Sequence, residues 1–420
     1  MKEVYDILKI MARTADAAAL LCAVSLSACA VAAASTPPQA STAPAFALVP
    51  PAGLPDFSDS LSSKKRLAAA LRRAVDYLKR SPQPRSYPFA GRDVTPGLLA
   101  SSAEHLLRLL QSSPDSKSFA AAVKRDFDVY ASPGSDGHGD VIFSAYYEPV
   151  LDASLKKSPH YPWPIYRKPR DLVEADLGLF DKKWSGTILV GRVQKGRFVP
   201  YFSRREIDVR KALAGKGLEI AWLKDRFDIL DLHVEGSGIL KFPSGREKLV
   251  NYGGTNDLPY HSIGLMLVKT GAFSKDEISA DKVKDYLRAH PEAADWILEQ
   301  NPRYVFFNMT PLPKGGEAHG TAGEMLVPGR SVAVDPSVIP LGALLYFSAP
   351  SPRVDESGSL LGQYPTSRFA TALDTGGAIK GPGRIDIYVG HGKRARMIAH
   401  NQWSHGKLYV LLRKPPPPDR

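Results

Sequence analysis

The stretch ALDTGGAIKGPGRIDIYVG, residues 372–390, constrains the chain more than any other: two β-rich runs each carry an aspartate, Asp374 and Asp386, and a glycine-rich loop separates them. A strand ending in Asp, a Gly376-Gly377 turn and a second strand ending in Asp would bring both carboxylates to one rim of a sheet. The missing side chains would let another backbone or a sugar chain approach closely. A third aspartate, Asp335, closes the similar run SVAVDPSVIPLG. Any one of these aspartates could instead cap a turn or accept backbone hydrogen bonds.

Periodicity supplies the surroundings. Leu67, Leu71, Val75 and Leu78 recur at helical spacing among Lys and Arg, and Leu106, Leu107, Leu109 and Leu110 form a second apolar face; both read as core-facing stripes. From Val141 to about Val250 the signal changes to short β-rich runs, VIFSAYYEPV, TILVGRV and RFVPYF, the last two joined by the turn residues Gln194-Lys195-Gly196. That spacing reads as a small barrel or sandwich. Helices return at 280–289, with Ser279 as N-cap, and at 292–300, opened by Pro291. Strands resume after Thr321 as SVAVD, ALLYFSA, ATALD, RIDIYVG and KLYVLLR. The chain is therefore expected to be α+β, mainly β with helices, and its 420 residues suffice for more than one core.

The N-terminus reads as an address. Lys2, Lys9 and Arg13 precede an apolar run from Ala17 to Ala28 that is too short to span a bilayer but suits a signal-peptide core. Leu26-Ser27-Ala28-Cys29 resembles the bacterial lipobox, which implies cleavage after residue 28, lipidation of Cys29 and, with Ala30 following, an outer-membrane anchor facing the periplasm. Glu3, Asp6 and Asp16 fit such a leader poorly, which leaves Met11 as an alternative start. The only other cysteine, Cys22, would leave with the leader, which excludes a cysteine nucleophile and structural disulfides. Residues 29–56, rich in Pro, Ala and Ser, read as a disordered tether reaching roughly 90 Å when extended, and 415–420 as a solvated tail.

Several chemistries are excluded or disfavoured. The net charge of +12 is scattered rather than gathered into basic blocks; acidic polymers or an anionic envelope surface suit it better than nucleic acid, for which no binding is expected. There is no HExxH or paired CxxC, and His391, His400 and His405 show no zinc spacing, so neither metal nor cofactor is expected. Gly236-Ser237-Gly238 lacks the full GxSxG elbow.

The motifs resemble known families. AVDPSVIPLGALLYF followed by ALDTGGAIKGPGRIDIYVG is similar to the three-aspartate domain, a double-psi β-barrel module of cell-wall-active proteins. SAYYEPVLDAS, WPIYRKP, VEGSG, YHSIGLMLVKTG and NPRYVFF, in that order, resemble the membrane-bound lytic murein transglycosylase A family; the likeness runs from about 140 to 413. It implies a double-psi barrel domain with N-terminal helices (57–149 and 255–414, the three-aspartate part about 321–413), a small β-barrel inserted at 150–254, and a glycan groove between them. The implied activity is cleavage of the β-1,4 bond between N-acetylmuramic acid and N-acetylglucosamine in peptidoglycan, leaving a 1,6-anhydro ring. Peptidoglycan strands are the implied partner, with cell-wall synthesis or division proteins as further candidates.

By motif position the family's catalytic Asp falls on Asp386, as general acid and then base, with Asp374 and Asp335 as supporting carboxylates. Tyr146, Tyr147, Glu235, Ser237, Gly376 and Gly377 become candidate glycan contacts. Glu235 stands where the family commonly has Gln, so a second carboxyl at the groove is expected, chiefly as a sugar ligand. Alternation makes one of Tyr146 and Tyr147 a core residue. Trp163 divides evenly between core and sugar platform, with Tyr166 as a further aromatic of the track, and Glu148 is either a ligand-facing acid or a surface charge, with the surface expected. Arg384 is either a glycan-carboxylate contact or a strand-edge charge, with the latter expected.

Overall fold

The computed structural model describes residues 46–59, 63–80, 87–89, 92–274, 278, 280–313 and 315–415. The leader, Cys29, Ser279 and the last residues of the tail lie outside them. The described chain divides into two compact units, one of residues 165–220 and 253–306, the other of the described residues before 165 together with 221–252 and 307 onward. This division is not coextensive with the expected 150–254 insert.

Nineteen strands are described: β1 (Ala47–Leu48), β2 (Tyr87–Phe89), β3 (Arg92–Val94), β4 (Phe127–Ala131), β5 (Val141–Glu148), β6 (Val150–Ser154), β7 (Trp163–Tyr166), β8 (Val173–Asp176), β9 (Ile188–Gln194), β10 (Arg197–Pro200), β11 (Glu219–Leu223), β12 (Gly238–Lys241), β13 (Glu247–Thr255), β14 (Val305–Pro311), β15 (Ser331–Val334), β16 (Leu344–Val354), β17 (Leu360–Thr375), β18 (Arg384–His391) and β19 (Trp403–Arg413). The helices are α1 (Lys64–Arg80), α2 (Pro96–Ser112), α3 (Ser116–Asp126), α4 (Arg226–Glu235), α5 (Ile263–Lys269), α6 (Ala280–Ala289), α7 (Pro291–Glu299) and α8 (Gly392–Asn401).

The larger unit is organised by a closed barrel. Its order is β19-β16-β17-β15-β18-β5, and β5 pairs back onto β19. Two pairings, β15 with β17 and β18 with β5, are parallel. Period-two alternation decides which face each residue takes. Val141 and Phe143, Val332 and Val334, Leu345 and Phe347, Ala370 and Ala372, Ile385 and Ile387, Leu408 and Val410 form one buried cluster, which fills the interior. The intervening positions point outward. Leu344, Tyr346, Phe369 and Leu411 meet Leu67, Leu71, Leu106 and Leu110 of α1 and α2 in a second cluster. Each such large apolar side chain contributes about 1.5–3 kcal/mol on burial. Thr95 caps α2 by accepting the Leu98 amide at 3.2 Å, with Pro96 at the first helical position.

The tether reading needs a correction from Phe46 onward. Phe46 is buried in the barrel cluster, Ala47 and Leu48 pair antiparallel with Ala131 and Tyr130, and Phe57 is buried between Tyr346 and Phe369. A Pro/Ala-rich segment buries little by itself, but an open strand edge at β4 gives it backbone partners.

The smaller unit carries the antiparallel sheet β10-β9-β8, whose β9–β10 turn places Lys195 and Gly196 at φ 51° and 75°, and a core of Tyr166, Leu172, Tyr201, Ile207, Leu213, Tyr304 and Phe306. Tyr166 is thus core. A six-stranded sheet runs β14-β13-β12-β6-β11-β7. Among the described residues no helix is long and apolar enough to cross a membrane.

Candidate active site

Register gathers two of the three aspartates. On β15, Ala333 lies opposite Asp374 of β17 on one side and opposite Asp386 of β18 on the other, and Asp386 lies opposite Ser144 of β5. Asp374, Ala333, Asp386 and Ser144 therefore form one row across four strands, on the outer face of the barrel, because Ile385 and Ile387 take the inner one. The expected rim of two strand ends is in fact this row: Asp386 is the third residue of its strand, not the last. The next rung sets Tyr388 opposite Tyr146, with ring centroids 5.3 Å apart, and beyond a bulge His391 faces Glu148.

The row holds two carboxylates in unlike surroundings. Asp374 Oδ1 accepts the Thr321 amide and hydroxyl at 2.8 and 2.9 Å and its neighbour's amide at 2.9 Å, and its Oδ2 accepts the Tyr146 hydroxyl at 2.7 Å. Thr321 reaches it because Gly320 lies against β17; a Cβ there would stand 2.4 Å from the Leu373 carbonyl oxygen. Asp386 accepts a hydrogen bond from the Ser144 hydroxyl on Oδ1. Burial pushes its carboxyl up to about 6, helped by the Asp374 charge and opposed by Ser144 and Arg384. Arg384 stands 4.5 Å over the Trp403 ring.

Asp335 lies just past β15 and does other work. It accepts the Ser337 hydroxyl and amide at 2.6 and 3.0 Å and the Gly381 amide at 2.8 Å. Burial favours its neutral form, yet those bonds and the Lys380 charge outweigh it and hold the carboxyl below its ordinary range. It pins the loop that returns to β18. Gly376 serves that loop too, since a Cβ would meet the Ile379 side chain at 2.7 Å; Gly377 is exposed.

One of the tyrosine pair is buried, as alternation predicts, though it does more than fill space. Tyr146 reaches Asp374, whereas Tyr147 is buried, but its hydroxyl donates to Asp231 of α4 at 2.8 Å. Its amide donates to Glu235, the last residue of α4, at 3.2 Å. Burial and the Asp231 charge, with a contribution from Asp386, raise the Glu235 carboxyl well above the usual range. A neutral carboxyl sets an O–H donor beside a carbonyl acceptor, much as a carboxamide sets its NH2 beside one. Ser237 follows on the loop after α4, half-buried. Trp163 is half-buried under the Arg226 guanidinium, 3.8 Å from the ring centroid.

Glu148 is not at the surface. It is fully buried, its Oε2 accepts the Ala318 amide at 3.1 Å and the Tyr388 hydroxyl at 2.9 Å, and burial pushes it up to about 7. The Tyr388 oxygen is also in hydrogen-bond contact with Glu317, so its single proton is shared between the two carboxyls. Ligating atoms of Glu148, Glu317 and His391 lie within 4.8 Å of one another, but the Tyr388 hydroxyl already bridges the two carboxyls. His405 pairs with Asp140 at 2.6 Å, and the His400 ring meets Tyr147 edge-on.

Ser144, Thr321, Asp231 and the Glu148–Tyr388–Glu317 group escaped sequence reasoning. For Ser144 the signal was present: alternate residues Ser144, Tyr146 and Glu148 make a polar stripe opposite Val141, Phe143 and Ala145.

Comparison with known proteins places this geometry. Residues 142–308 match the MltA specific insert domain and 330–412 the 3D domain. The membrane-bound lytic murein transglycosylase A of Escherichia coli K12 is 33% identical over 290 residues, 69% of this chain and 70% of that protein. The chain belongs to the membrane-bound lytic murein transglycosylase A family. A crystal structure of the Agrobacterium tumefaciens membrane-bound lytic murein transglycosylase, 27% identical, superposes with a TM-score of 0.69 over 88% of this chain and 98% of that one. The E. coli member with bound chitohexaose, 27% identical, gives 0.67 over 88% and 95%. The closed barrel with its two parallel pairings is the double-psi barrel expected from the motifs, and this member of the family is an enzyme of the lyase type that family comprises.

Proposed function

We propose that the chain cleaves the β-1,4 bond between N-acetylmuramic acid and N-acetylglucosamine in peptidoglycan, with Asp386 as sole acid and base. The observation that carries this is the environment of Asp386: one hydroxyl donor, burial, and a carboxyl raised to about 6. Such a group is partly protonated near neutrality and can give its proton to the departing O4 of N-acetylglucosamine. As a carboxylate it then takes the proton of the muramic C6 hydroxyl while O6 bonds to C1. The bond broken and the bond formed balance without water, and the product carries a 1,6-anhydro ring.

Asp374, fixed by four donors, faces the same row and would stabilise positive charge developing at C1. Asp335 supports the reaction through the loop it anchors. Tyr146, Glu235, Ser237, Gly376 and Gly377 are proposed glycan contacts; Tyr147 contributes by holding Asp231 and Glu235. Family membership supports lytic transglycosylase activity, and the chitohexaose held by the E. coli member supports glycan binding. The family's membrane-bound relatives support membrane association. Lipidation of Cys29 and an outer-membrane, periplasm-facing anchor complete the proposal; loss of palmitate labelling in Cys29→Ala would support it, and persistent labelling would reject it.

The test is mass spectrometry of murein sacculi digested by the wild type and by Asp386→Asn. Anhydro-muropeptides from the wild type alone support the reading. Equal release by both removes Asp386 from the mechanism, and free reducing ends would make the enzyme a hydrolase.

A further inference from the structure

One end of the barrel opens into a cavity of about 630 Å³, and inward alternation explains its lining. Along β16 the inward positions run Leu345, Phe347, Ala349, Ser351; along β17, read from the core outward, they run Ala372, Ala370, Arg368, Thr366, Tyr364. The register pairs Phe347 with Arg368, Ala349 with Thr366 and Ser351 with Tyr364, and all six line the cavity. Hydrophobic filling thus gives way to cationic and hydroxyl groups where the barrel widens to solvent. Arg353, at the β16 bulge, Arg66 of α1 and Arg394 of α8 complete the rim.

The charge here is uncompensated. Among the described residues no carboxylate pairs with Arg66, Arg353, Arg368 or Arg394; Arg368 is held by the hydroxyls of Thr366 and Tyr364, each at 3.2 Å. Gly329 leaves Arg368 room, since a Cβ there would stand 2.7 Å from its guanidinium. Nearby Arg330 shows the alternative, buried against Asp59. The one acidic liner, Glu317, is already engaged by the Tyr388 hydroxyl and sits 3.7 Å from His391. Arg66 and Arg394 also occupy the first turns of helices that have no acidic residue there, where the macrodipole disfavours cations and attracts anions. Two helix starts and four guanidinia therefore converge on one space whose floor, Phe347, Ile387, Val389 and Ile398, is apolar.

We propose that this barrel mouth is a second binding site, for a short peptide bearing two or more carboxylates. The volume lies in the range that holds small organic ligands and is too large for a single oxyanion. The apolar floor requires a body as well as charges, and spread guanidinia favour several carboxylates, each suited to a fork of two N–H donors. Stem peptides of peptidoglycan have this chemistry, and naming them rests on the proposed function. Ile387 and Val389 belong to the strand that carries Asp386, so a peptide seated here touches the back of the catalytic row.

The experiment is calorimetric titration of the full-length, detergent-solubilised chain with the free tripeptide L-Ala-γ-D-Glu-meso-diaminopimelate. A saturable isotherm is expected that weakens with salt, is at least about tenfold weaker in Arg66→Gln/Arg394→Gln, and is abolished by amidating the carboxylates. Both arginines are exposed, and an unchanged melting temperature verifies the fold of the variant. No heat of binding, equal affinity in the variant, or equal binding of the amidated peptide overturns the proposal. Equal binding of inorganic phosphate also overturns it, by reassigning the mouth to simple oxyanions. Asp386→Asn should bind the tripeptide as the wild type does, and peptide-free glycan strands assayed in parallel separate the two readings. Cleavage without tripeptide binding sinks only this site; binding without cleavage sinks only the proposed reaction.

Discussion

The turn after β15 and the third residue of β18 each hold an aspartate on the same barrel, yet their carboxyls move in opposite directions. Asp335 receives three hydrogen bonds and sits below its ordinary range; Asp386 receives one from Ser144 and is pushed up to about 6. Burial raises both; at Asp335 three donors and the Lys380 charge overcome it, whereas at Asp386 the Asp374 charge reinforces it against Ser144 and Arg384. Three aspartates in one motif therefore need not share a task. The Asp335 carboxyl, given two amides and a hydroxyl, anchors a loop, whereas the Asp386 carboxyl, given a single hydroxyl, suits the proposed acid.

The hardest blow to this contrast is Asp386→Asn, which should lower anhydro-muropeptide release about 10²–10⁴-fold with the fold retained; near-wild-type turnover would erase the distinction. Asp335→Ala should behave otherwise, costing about 1–3 kcal/mol in urea unfolding by stranding the Gly381 amide, with activity falling only as the loop loosens. The pH dependences diverge as well. Asp335, lowered in the fold, contributes stability present above the unfolded value near about 3.9 and lost as pH falls through its folded value. Asp386, raised in the fold, does the reverse: native stability declines as pH rises from about 3.9 toward about 6, and catalysis, which starts from the protonated acid, declines as pH rises through about 6. Urea midpoints against pH for the two Asp→Asn variants check both signs. Tyr146→Phe withdraws one of four donors from Asp374, an effect of about 1 kcal/mol or roughly fivefold in kcat/KM. The mildest change is Ser144→Ala: removing the donor that lowers Asp386 should carry the alkaline limb of the rate profile to higher pH, and a shift to lower pH would contradict the assigned hydrogen bond.

Much of the architecture was readable because alternation is local. RIDIYVG, SVAVD and KLYVLLR each announce a strand, and the apolar stripes of α1 and α2 announce their buried faces. What alternation cannot supply is register. Asp386 was read as a strand end because RIDIYVG looks the same wherever pairing begins; only β15 and β5 set it beside Ala333 and Ser144. Glu148 is buried where a lone Glu is by default expected at the surface, because its cover, the segment around Ala318, comes 170 residues later. The order beginning at Phe46 depends likewise on β4, a distant partner. The Asp335 turn, by contrast, is held by Ser337 two residues on, and the turn-capping reading was open from the sequence alone.

The parallel pairing of β5 with β18 joins residues about 240 positions apart, as Ser144 and Asp386 are. A chain made amino end first therefore holds half of its acid's setting long before the acid exists. A fragment that stops before β18 lacks Asp386 and cannot carry the row, so the proposed activity waits until that strand has been made. Contacts of such sequence separation form more slowly than local ones, so the proposed activity is expected only once this long-range pairing has closed the barrel.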